Sequence, residues 1–89
     1  KEKGDLAAAE PLSREALEGR REKLGARHPD TLSSISNLGL LLMAKGDLAA
    51  AEPLLREALE GRREVLGARH PKTLAAMKNL GALGGSGLG

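Results

Sequence analysis

Shifted by 42 residues, the chain falls on itself. Gly4 meets Gly46, Ala9 meets Ala51, His28 meets His70 and Asn37 meets Asn79, and 31 of the 40 pairs from Lys3/Lys45 to Leu42/Gly84 are identical. A period of roughly 20–50 residues marks an architecture in which each unit buries its apolar face on the next one. That periodicity constrains the fold more than any local motif does.

What fills such a core follows from composition. The 89 residues contain no Phe, Trp or Tyr, so Leu and Ala, with a few Ile, Val and Met, must pack it. The length suits one small domain or a piece of a longer array. With no cysteine, disulfides and thiolate metal sites are excluded. Fourteen basic and twelve acidic residues leave a net charge of +2. The two signs interleave, as on a solvated helix surface rather than a nucleic-acid or membrane patch. The longest apolar run, Leu38 to Ala44, is too short to span a bilayer. A cytoplasmic location is the default expectation.

The spacing predicts an all-α chain of four helices, over residues 5–24, 30–44, 47–66 and 72–83. Gly4 is expected to end a preceding helix and Asp5 to cap the next. In the second copy Leu48, Ala51, Leu55, Ala58, Leu59 and Leu66 recur at steps of three, four and seven, one face of an amphipathic helix. The first copy carries Ser13 in place of Leu55, which weakens that stripe. Pro11 and Pro53 lie inside these helices, and Gly19 and Gly61 each cost about 1 kcal/mol relative to alanine, so both helices read as soft. Gly25 and Gly67 stop them, and the His28-Pro29 and His70-Pro71 turns open the shorter helices, where proline needs no N–H partner. Residues 1–83 therefore form the repeat array, and 84–89 have the composition of a flexible glycine-rich tail.

Asn37-Leu38-Gly39, Leu42, Gly46, Ala51, Leu55 and Ala58 together resemble the small-and-large signature of the tetratricopeptide repeat. Its usual unit is about 34 residues. The 42-residue period, the Ala-Glu-Pro-Leu start of the longer helix and the Leu-Gly-x-x-His-Pro turn resemble the longer variety found in kinesin light chains. The resemblance covers residues 3–83. It implies a helical-hairpin solenoid, a right-handed superhelix of which this chain holds about two repeats. The chain departs from the pattern at Leu42 and Gly84, where tyrosine is common, and at Gly19 and Gly61, where a large aliphatic residue is usual. Repeat packing is expected to rest on Leu38, Gly39, Leu42, Gly46, Ala51, Leu55, Ala58, Leu80 and Gly81. Gly39 and Ala51 are small enough to let two helices approach closely.

In such repeats the shorter helices line the concave surface. By resemblance Asn37 and Asn79 would hydrogen-bond the backbone of a bound peptide, with Ser33, Ser36, Leu40, Met43 and Lys78 as neighbours. The competing reading makes each asparagine a clasp between repeats, satisfying a neighbouring carbonyl. His28 and His70 stand one repeat apart without a third ligand, so they read as turn residues and no metal is expected. The arginines Arg20, Arg21, Arg62 and Arg63 interleave with Glu18, Glu22, Glu60 and Glu64 at helix-neighbour spacing, which predicts pairing within each helix. No stacking aromatics accompany them, which argues against nucleic acid. No asymmetric grouping of catalytic type is visible, so neither enzyme activity nor a cofactor is expected. The leading expectation is an interaction scaffold for a protein or peptide partner. The alternative is a self-assembling unit whose incomplete ends associate head to tail or by swapping.

Overall fold

Helix starts and stops written into the chain account for its element order. In the computed structural model, α1 spans Lys3–Leu24, α2 Pro29–Lys45, α3 Leu48–Leu66 and α4 Pro71–Leu88. The structure describes the backbone of residues 3–88 and the side chains of residues 6 and 8–83. Before α2, His28 holds an extended backbone, and its Nδ1 accepts a hydrogen bond from the Asp30 N–H at 3.0 Å. Pro29 follows as the first helical residue, where its missing N–H is no loss. The second copy repeats the arrangement, the Lys72 N–H donating to His70 Nδ1 at 3.0 Å. At α3, Asp47 accepts from the Ala50 N–H. α2 ends at Gly46, whose φ of 92° is left-handed, and the Gly46 and Asp47 N–H groups close onto the Met43 and Leu42 carbonyls.

Two boundaries differ from expectation. Gly4 lies inside α1 rather than ending a helix. The expected Asp5 cap lies outside the described side chains. α4 runs on to Leu88 instead of stopping at residue 83. The helical ladder is made by backbone groups, and glycines weaken it without forbidding it. α1 and α3 continue through Pro11 and Pro53.

Each helix packs chiefly on the next, α1 on α2, α2 on α3 and α3 on α4. The molecule measures 38 × 36 × 19 Å. Its short dimension is about two helix diameters, so the helices form two layers. Arg21 of α1 reaches Glu57 of α3 at 3.1 Å, which sets those two long helices side by side. The shorter α2 and α4 make the other layer. This is an all-α stack of helical hairpins.

The core gathers Leu17, Leu32, Ile35, Leu38, Leu42, Ala51, Leu55 and Ala58. Half of these come from α2, because α2 alone is flanked on both sides by long helices. Of the residues expected to pack the repeats, Leu38, Gly39, Leu42, Ala51, Leu55 and Ala58 are buried. A Cβ on Gly39 would lie 2.7 Å from Leu55 Cδ2, so only glycine admits that leucine without a shift. Leu80 is half-buried against the core, Gly46 makes the turn, and Gly81 is exposed with nothing within 4 Å of where its Cβ would stand.

Gly61 also acts differently from expectation. A Cβ there would collide with the Leu32 Cδ2 methyl, so the glycine is a notch that receives Leu32 rather than a soft point in α3. The ion pairs likewise cross between elements more than the sequence spacing implies. Arg21 pairs with Glu57 and Arg27 with Glu64, and Arg20 donates to Ser34 Oγ at 2.8 Å. Within-helix pairs among the described residues are Arg14 with Glu10 and Arg56 with Glu52. Side-by-side packing brings the arginines of one long helix to the acids of the next, which sequence distance hides.

Candidate protein-interaction surface

Ser33, Asn37 and Leu40 follow one another at helical spacing along α2, so they share a stripe. Asn37 is exposed, Ser33 is half-buried, and Leu40 and Met43 are half-buried against the core. Ser36 is only 5 % exposed and offers little surface to a ligand. On α4, Lys78 is exposed and Asn79 half-buried. The seven residues singled out from the sequence therefore do not line one cavity.

Two hollows flank the α2 stripe. On the α1 side, Asn37 and Ser34 face Ser13, Ala16 and Arg20 across about 180 Å³. On the other side a cleft of about 290 Å³ opens between α2, α3 and the start of α4. Its walls are apolar, from Pro29, Leu32, Val65 and Leu66, and Ser33, Arg62, His70 and Lys72 supply its polar groups. A third hollow of about 280 Å³, near Leu48, Leu80 and Leu83, holds Glu52 and Arg56, already paired with each other.

The cleft is cationic because the two copies differ where they meet it. In the first copy Arg20 is held by the Ser34 hydroxyl and the Asp30 carbonyl oxygen. In the second copy Ala76 stands at the Ser34 position and Lys72 at the Asp30 position. One change removes the hydroxyl acceptor and the other turns an acid into a base. Arg62, the counterpart of Arg20, reaches instead across to Ser33 Oγ at 3.4 Å. No carboxylate pairs with Arg62 or Lys72 among the described residues. Burial pulls the Arg62 guanidinium below its ordinary value, the electrostatic signature of a partly desolvated cation without a counter-ion.

The histidines are turn residues in the structure, each Nδ1 taken by the backbone N–H two residues on. No group of three or more potential metal-ligating side chains gathers among the described residues. No helix among them is long and apolar enough to cross a membrane. Arg62 and Lys72 were not legible as site residues from one copy, since Glu60 and Glu64 stand two residues to either side of Arg62 in the sequence. Their signal lies in the differences between the copies, at Ser34/Ala76 and Asp30/Lys72.

No curated protein matches the chain. The tetratricopeptide repeat pattern matches it twice, over residues 1–30 and 31–72. Both matches fall on the helical array, and the packing glycine Gly39 and the small Ala51 lie in the second. The chain belongs to the tetratricopeptide repeat family, whose members are non-catalytic scaffolds for protein–protein interaction.

Proposed function

We propose that the chain holds an extended acidic peptide of a partner protein against its shorter helices. The carrying observation is the apolar cleft edged by Arg62 and Lys72 with no carboxylate to neutralise them. A peptide acid beside an aliphatic residue fits both halves of that lining. Charge-assisted hydrogen bonds supply affinity, and the apolar walls supply area. Asn37 and Asn79, one repeat apart, engage the peptide backbone on α2 and α4. Ser33, Leu40, Met43 and Lys78 border the path, and Ser36 supports it from beneath. The 42-residue period and the Leu24-Gly25-Ala26-Arg27-His28-Pro29 turn favour the kinesin-light-chain-like variety of the repeat.

The test is a binding titration with fluorescent peptides carrying Asp or Glu next to Leu, against the same peptides with Asn or Gln. Arg62→Met and Lys72→Met should each weaken the acidic peptide about tenfold or more, a charge-assisted bond being worth about 1.5–3 kcal/mol. Asn37→Ala and Asn79→Ala should weaken acidic and amide peptides alike. Equal binding of both peptide sets, or variants that bind like the wild type, would reject the proposal.

A further inference from the structure

The packed contact between α2 and α3 shows what the exposed outer faces of α1 and α4 are shaped for. Leu32 of α2 fills the notch at Gly61 of α3 and is 1 % exposed. One repeat along, Leu74 is the counterpart of Leu32 and is 50 % exposed. One repeat back, Gly19 is the counterpart of Gly61, and a Cβ there would meet nothing within 4 Å. The chain thus carries a leucine without its notch on α4 and a notch without its leucine on α1.

The charges around the contact are duplicated in the same way. Arg27 Nε lies 3.0 Å from Glu64 Oε1, and Arg21 Nη2 lies 3.1 Å from Glu57 Oε1. Their counterparts on those outer faces are Arg69 with Glu22 and Arg63 with Glu15. All four residues are exposed, and their side chains make no ion pair or hydrogen bond among the described residues. In both pairs the arginine sits toward the α4 end and the glutamate on α1. Two charge pairs of the internal contact are therefore available again between the ends, while Lys78 stands where that contact buries Ser36.

We propose that a second copy of this chain docks head to tail, its α1 lying on α4 as α3 lies on α2. Leu74 enters the Gly19 notch of the second copy, Arg69 pairs with its Glu22, and Arg63 pairs with its Glu15. Gly81 then faces Ser13, where the internal contact has Gly39 beneath Leu55. The smaller serine makes this contact weaker than the one inside the chain. The interface is heterologous, so each added copy presents a fresh end, and the assembly grows as an open stack rather than closing as a dimer.

Sedimentation velocity on the 89-residue chain between about 10 µM and 1 mM spans half-saturation for a Kd near 100 µM. Two variants block opposite ends, Gly19→Leu filling the notch and Leu74→Glu charging the leucine. Wild-type mass should rise through the series, while each variant alone stays monomeric with unchanged helicity. An equimolar mixture should form a 1:1 dimer and stop there, because the one good α4 meets the one good α1. A wild type that stays monomeric, a variant that still associates, or a mixture that fails to pair would each overturn the proposal. Arg69→Glu provides a check that leaves the apolar contact alone, since it should weaken association severalfold and Glu22→Arg in the same chain should restore it. Arg62→Met, which disables the peptide cleft, should leave association untouched, so the two proposals fail separately.

Discussion

Gly19 and Gly61 are the same letter at the same repeat position, yet they should respond oppositely to one methyl group. Alanine gains about 1 kcal/mol of helix propensity at either site. At Gly61 the new Cβ meets Leu32, a fully packed core residue, and overpacking costs about 1–3 kcal/mol. Gly61→Ala should therefore lower stability by about 1 kcal/mol, whereas Gly19→Ala should raise it by about 0.5–1 kcal/mol. Urea denaturation at low protein concentration measures both without interference from association. The contrast marks what one residue's identity reveals. Ala51, Leu55 and Ala58 were legible because apolar spacing assigns them to a face, and Leu38 and Leu42 because they stand in the repeat signature. The role of Gly61 was not, because it depends on a leucine 29 positions earlier in the chain that arrives only when two helices pack.

At the scale of elements, starts and stops were readable because their chemistry is local. A proline after histidine and a glycine after the last leucine act within a few residues. His28→Ala removes the side-chain acceptor that opens α2, and loss of such a cap costs about 0.5–2 kcal/mol. His28→Asn should recover most of that loss, and a thermal melt of the two variants checks the assignment. Ala51 governs how close α3 comes to its neighbours, being fully buried within the core cluster. Ala51→Leu should destabilise by about 1–3 kcal/mol, and a melt at wild-type stability would reject that packing role. The pairing of charges was less readable. Glutamates three and four residues from an arginine are always visible in a sequence, but Arg21 and Arg27 choose acids on another helix, 36 and 37 residues away.

At the scale of the molecule, α1 is tied to the end of α2 by Glu10, which accepts from Lys45 and from Arg14 of its own helix. Those hydrogen bonds, Lys45 first, hold the Glu10 carboxyl below its ordinary range. A carboxyl depressed in the folded state stabilises the fold at pH above its unfolded value, and the contribution fades as pH falls through the folded value. The stability difference between the wild type and Lys45→Met should accordingly be largest near neutral pH and shrink in acid. Denaturation midpoints measured from pH 7 to about pH 3 would show this, and added salt should reduce the difference because the pair is solvent-accessible. A difference that grew in acid would contradict the assignment.

The two-sided burial of α2 also has a meaning in time. Ile35 and Leu42 are wholly enclosed, while α4 has one packed flank and leaves its Leu74 half in water. In a stack where each helix touches chiefly its neighbours, opening need not involve the whole chain, and the element with fewest packed partners lets go first. Amide hydrogens of α4 should exchange through brief local openings, well before those of α2, whose release requires both neighbouring long helices to separate. The hairpin of α2 and α3 is then the part of the molecule that remembers its structure longest, and the part around which an unfolded chain regains it.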